Sequence, residues 1–187
     1  MRLSTITSYC ILGVKAQPIT IEVHISNGLP GLSVVGLPEA AVRESKDRVR
    51  SAILNSHFEF PAKRITVNLA PADIPKNGAG FDLPIAIGIL NASDQLDCKT
   101  IENYALVGEL SLSGQIRPVA GVLPMAMKAD SDHKQLIAPS DNQSELAALS
   151  KNNHLAGSSL IAVCGHLSGN SPIQPPAQLE KLSLIHI

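Results

Sequence analysis

The run Pro75-Lys76-Asn77-Gly78-Ala79-Gly80-Phe81-Asp82 is the stretch best suited to chemistry. A glycine-rich turn opening onto an apolar helix points backbone N–H groups at the helix start, where an anion or a developing oxyanion can be held. The same glycines equally serve a tight strand-to-helix turn that binds nothing. A phosphate loop of the form GxxxxGK[ST] is excluded, because no Gly-Lys dipeptide occurs in the chain. No GxGxxG run occurs either. The six histidines, His24, His57, His133, His154, His166 and His186, show neither HxxxH nor HExxH spacing. Cys10, Cys98 and Cys164 form no CxxC pair, so they read as buried thiols in a reducing compartment. Asp73, Asp82 and Glu109 flank the turns and can meet in space, although capping is the commoner role of such residues. A second constellation lies on a predicted helix over 39–56. There Arg43, Lys46 and Arg50 stand at i, i+3 and i+7 and share one face, interleaved with Glu39, Glu44 and Asp47. That face suits either a solvated, salt-bridged surface or a contact with phosphate or a neighbouring subunit.

The elements that must position these residues are legible from periodicity. Ile19, Ile21, Val23 and Ile25 alternate with Thr20, Glu22 and His24, the pattern of a half-buried strand. Strands are also predicted over 3–13, 32–35, 64–69, 104–112, 115–118, 135–138 and 160–163. Helices are predicted over 39–56, 82–93 and 122–129, with a last one ending near 150. Pro38 suits the entry of the first helix, with Ala41, Val42, Val49, Ala52 and Ile53 as its buried stripe. Asp82 is placed to cap the second. Hairpin-like strand pairs beside crossover helices make this an α+β fold with a mixed sheet.

The 187 residues carry 44% hydrophobic and 17% charged side chains, which excludes a wholly disordered chain. No apolar run approaches the roughly 20 residues of a membrane span. The N-terminus makes a poor signal peptide, so the cytoplasm is the expected location. The net charge of −1 argues against a strongly basic nucleic-acid binder, yet residues 1–80 hold 9 basic and 6 acidic side chains of the chain's 15 and 16. With five Phe and Tyr and no Trp, base-stacking platforms are scarce. Residues 168–178 turn to Gly, Ser, Pro and Gln, as an extended linker does. The apolar stretch 179–187 reads as the start of a further domain or as a chain end.

The runs ITIEVHISNGLPGLSVVGLPEAAVRESKDRVRSAI, FPAKRITVNLAPADIPKNGAGFDLPIAIGIL and VGELSLSGQIRPVAGVLPMA resemble the amino-terminal domain of the Mg-chelatase-like AAA+ ATPases of the ComM/YifB type. The resemblance covers residues 1–167. It implies a Lon-protease-like domain, similar to the second domain of ribosomal protein S5, followed by the linker and an AAA+ motor that this chain lacks. Lon proteases use a Ser-Lys dyad, with Ser in a PKDGPSAG-like turn and Lys in a GGLK-like run. Here those positions fall on Gly80 and Leu123, so the resemblance implies a degenerate, non-catalytic dyad. No cofactor is expected in this chain, while ATP and Mg belong to the motor. The family implies a homo-oligomer, a hexameric ring at full length, that drives DNA branch migration in natural transformation. Arg43, Lys46, Arg50, Lys63, Arg64 and Lys76 are then the candidate DNA contacts, binding phosphate without regard to sequence. Two other classes remain open on the residues: a Ser-Lys peptidase, which would need a rival pair such as Ser111 or Ser113 with Lys128, and a purely structural oligomerisation module. Nothing resembles a porphyrin site.

Overall fold

A computed structural model describes residues 2–36, 40–76, 80–149 and 153–177, with the side chains of Arg2 and of 40–43 left aside. The chain runs β1 (Arg2–Leu12), β2 (Lys15–Ser26), β3 (Gly31–Val35), α1 (Ala40–Asn55), β4 (Arg64–Ala70), α2 (Asp82–Ala92), β5 (Tyr104–Leu106), β6 (Glu109–Leu110), β7 (Ile116–Arg117), α3 (Val122–Ser131), β8 (Gln135–Pro139), α4 (Gln143–Ala147), β9 (Leu155–Gly157) and α5 (Leu160–Leu167). Seven strands form a mixed sheet in the order β3-β4-β2-β1-β5-β8-β9, and β6 pairs with β7 beside it. Only β2 runs against the other six strands of the large sheet.

The alternation predicted for β2 is observed: Ile19, Ile21, Val23 and Ile25 are buried, while Thr20, Glu22, His24 and Ser26 stay exposed or half-buried. The buried set faces α1 and α2 in the larger core, which Leu160, Val163, Cys164 and Leu167 of α5 complete. Side chains of opposite parity form a second core on the other face, where α3 and α4 pack over Tyr9, Ala105, Val107, Leu136 and Ala138. The sheet is thus covered on both faces at β5 and β8. At β3 and β4 it is covered on one face, and polar side chains such as Thr66 and Asn68 line the other, while the start of β2 reaches under α3 through Ala16. Helix α2 is buried almost throughout, so its apolar residues surround it rather than forming a stripe.

Three expectations are corrected. The predicted strand 160–163 is the first turn of α5: Ser159 accepts a hydrogen bond from the Ala162 N–H, and Leu160, Val163, Cys164 and Leu167 fall on one helical face. The final strand is β9, at 155–157. The predicted strand 104–112 breaks after Leu106, where the Gly108 N–H donates to Gly80 O and its carbonyl accepts from Leu83 N. Asp82 does not cap α2. No side chain caps that helix, and Asp82 turns to α1 and β6 instead.

All three cysteines are free and buried, as their spacing suggested, and burial pushes the Cys164 thiol up to about 12. Pro38, Ala41 and Val42, invoked for α1, lie outside the described residues or side chains. After α5, the N–H groups of Ser168, Gly169, Asn170 and Ser171 bond back to carbonyls of α5. The Ile173 N–H donates to His166 Nδ1 at 3.1 Å, and the Ile173 side chain packs on the larger core. Residues 179–187 lie outside the described residues.

Candidate functional site

Gly80 and the Val119–Gly121 turn line one cleft of about 440 Å³, together with Tyr9, Cys10, Ile11, Phe81, Val107, Glu109, Pro118 and Met125. Leu123 follows in the first turn of α3, half-buried. Side-chain hydrogen bonds hold the frame of this cleft. The Asn142 amide brackets Val119, accepting from its N–H at 3.0 Å and donating to its carbonyl at 2.9 Å. Glu145 accepts from Asn142 Nδ2 at 2.7 Å and from the Leu123 N–H at 3.0 Å. Gly121 sits at φ +80°, and a Cβ there would come within 2.7 Å of Ile11 Cγ1, so both backbone and neighbour require glycine.

The chemistry of the cleft is sparse. At Gly80 a Cβ would have ordinary contact, 3.7 Å from Val119 Cγ1, so the position has room for a side chain and carries none. Burial pushes the Cys10 thiol up against the opposing pull of Lys76, away from the thiolate that a nucleophile needs. The Tyr9 hydroxyl donates to Asp132 Oδ2 at 3.0 Å. Asn77, Gly78 and Ala79 lie outside the described residues.

The charged residues beside this turn serve the fold. Asp82 has no exposed surface and accepts from Arg48 Nε at 2.7 Å, from Arg48 Nη2 at 3.2 Å and from the Leu110 N–H at 3.2 Å. Burial pushes its carboxyl up to about 6, outweighing the downward pull of Arg48. The pair ties α1 to α2 and β6, and sequence reasoning missed it because its partners are 34 residues apart. Glu109 pairs with Arg117 at 3.5 Å, and Asp73 is exposed, so the three carboxylates do not form one acid-base group. Lys76 is also buried, with its ammonium donating to Pro71 O, and burial pulls its pKa down. A buried ammonium presents nothing to a phosphate, so Lys76 leaves the set of surface contacts.

Four other predicted contacts come together around the starts of β3 and β4. Lys46 and Arg50 of α1 line a slot of about 310 Å³ with Asp47, Leu32, Phe60 and Pro61. Lys63, exposed, lines the adjoining hollow with Glu59, Pro61 and Gln95. Arg64, exposed on the helix-free face of the sheet, lines a hollow with Leu29 and Ser33. The backbone of Arg43 belongs to α1, but its side chain lies outside those described. Phe60 is the group that sequence reasoning missed here. The Arg50 guanidinium carbon lies 4.9 Å from its ring centroid, a cation–π distance.

Among the described residues no group of His, Cys, Asp and Glu is arranged to hold a metal ion. Among them, too, no helix is long and apolar enough to cross a membrane.

The family model described as subunit ChlI of Mg-chelatase matches residues 21–142. The chain is 48% identical to the YifB protein of Escherichia coli K12 over 183 residues, which is 98% of this chain and 36% of that protein. It is 47% identical to the competence protein ComM of Haemophilus influenzae over 186 residues, again 36% of the relative. It therefore spans about a third of the length of these relatives. A Lon protease of Geobacter metallireducens is 23% identical over 146 residues, 74% of this chain and 18% of that protein.

Proposed function

The chain belongs to the Mg-chelatase-like family of the ComM/YifB type, and from that premise we propose that it is a non-catalytic accessory domain of a ring-forming AAA+ ATPase that handles DNA. The observation that carries this reading is the gathering of Lys46, Arg50, Lys63 and Arg64 around one corner of the sheet. Phosphates engage such a corner through charge alone, without regard to sequence and with strong dependence on salt.

In this reading the remaining length of a full protein supplies the AAA+ motor, with its ATP and Mg, and most of the contacts of a hexameric ring in the cytoplasm. The linker over 168–178 joins the two, and residues 1–167 act as one unit. Gly80 supplies no nucleophile and Leu123 cannot take a proton, so the cleft keeps the outline of a Ser-Lys protease without its reaction. A peptidase role finds little support in the 23% likeness to a Lon protease.

The test is a titration of the chain against labelled single-stranded and duplex DNA at low and moderate salt. Binding that collapses with salt supports the reading. Replacing Lys46, Arg50 and Arg64 together by Ala then weakens binding and flattens its salt slope, by about one unit for each cation removed. Absence of binding at low salt would move DNA contact to the motor and leave this domain as scaffold.

A further inference from the structure

Resting on the DNA reading above, we propose that the slot between α1 and the Phe60 loop takes one unpaired nucleotide, which makes the basic corner a single-strand site. The slot has an aromatic wall. The Arg50 guanidinium carbon lies over the Phe60 ring, 4.9 Å from its centroid, and both residues line the same concavity with Pro30, Leu32 and Pro61. Base–aromatic stacking tolerates any sequence because every base has a π-face, and an Arg plane extends such a stack. At about 310 Å³ the slot lies at the lower end of ligand pockets, roughly 300–1,000 Å³, which suits one nucleoside. A duplex keeps its base faces stacked inside, and only an unpaired base can offer one to the slot.

The charges fit the same occupant. Lys46 in the slot, with Lys63 in the adjoining hollow, matches a backbone that runs past a single inserted base. Asp47 lines the slot as well. It disfavours a phosphate there and accepts hydrogen bonds from the N–H groups of a base edge. Glu59 lines the adjoining hollow with Lys63 and is not among the residues of the slot.

The platform is also held in place before any ligand arrives. Gln95 clamps the loop from both sides, accepting from the Glu59 N–H at 2.7 Å and donating to Glu59 O at 2.8 Å. The Gly31 N–H, at the start of β3, donates to Lys63 O at 3.2 Å. Phe60 itself packs in part on the larger core. Little ordering cost is left to the binding step.

The experiment compares three probes by fluorescence anisotropy: labelled oligothymidylate, an abasic strand of the same length, and a duplex of that length. The intact chain binds oligothymidylate about tenfold more tightly than the abasic strand, the margin that one stacked base supplies. Phe60→Leu keeps the apolar bulk, removes the ring and erases that margin, while abasic and duplex affinities hold. Lys46→Ala weakens all three probes alike. If Phe60→Leu does not fold, as a melting curve shows, Arg50→Lys carries the same comparison, since it keeps the charge and loses the plane. Equal binding of oligothymidylate and the abasic strand by the intact chain, or a margin that survives the loss of the ring or plane, overturns the slot and leaves the DNA reading standing. No binding of any probe at low salt overturns both.

Discussion

The cleft at Gly80 and the slot at Phe60 are opposites in construction. The cleft is framed by Asn142 and Glu145 and by required glycine geometry at Gly121, with the Arg48–Asp82 pair next to its lining residue Phe81, yet its wall holds a glycine, Gly80, where a side chain would fit. Among the described residues the slot has no such frame of buried polar groups, and its charged side chains, Lys46, Asp47 and Arg50, stand half-buried or exposed beside an aromatic ring. Charges near the cleft are consumed by the fold, whereas charges near the slot remain available to a ligand. Substitutions at the cleft should therefore read out in stability, and substitutions at the slot in binding.

The largest effect expected from this contrast is at the buried pair. Arg48→Ala leaves Asp82 without its guanidinium partner and costs about 3 kcal/mol in a denaturant titration. The same pair gives a pH signature. The folded pKa of Asp82 is raised to about 6 from 3.8, so its contribution is complete below pH 3.8 and is lost as pH rises through 6. The loss is of the order of 3 kcal/mol, and Asp82→Asn removes that slope from a stability–pH profile. A flat profile in the unaltered chain would break the claim that this carboxylate is structural.

Gly121→Ala comes next, at about 2 kcal/mol, because αL backbone and Ile11 both oppose a Cβ. At the slot the triple change at Lys46, Arg50 and Arg64 lowers DNA affinity at least tenfold while the melting temperature moves by only a few degrees. A large loss of stability there would erase the distinction between the two regions. The smallest effect is at Gly80. Gly80→Ser stays within about 0.5 kcal/mol and yields no peptide turnover, since Leu123 still provides no base. Turnover of a fluorogenic peptide by that single variant would refute the reading of a cleft without a reaction.

Regular alternation made β2 legible, and the apolar run beginning at Leu83 announced α2, because burial on a sheet or inside a core selects side chains directly. Leu160 to Val163 misled, since four apolar residues fit a strand as readily as a helix turn. Only the Ser159 cap and the later Cys164 and Leu167 reveal the longer period. Lys76 was misplaced, because whether a long side chain turns inward depends on where its chain folds back, here onto Pro71. Pairings across the fold left no local trace: Arg48 with Asp82, and Arg50 over Phe60, join a helix to segments whose approach only the tertiary structure sets.

The return of residues 168–173 onto α5 sets a mechanical property. Composition reads this stretch as an extended linker, but the backbone bonds to α5, the His166 ring nitrogen and the seated Ile173 side chain fasten its first part to the domain. The usable tether begins at Gln174, with a reach of roughly 3.5 Å for each residue beyond it. A pull arriving from the C-terminal side therefore bears on α5 and the larger core almost at once.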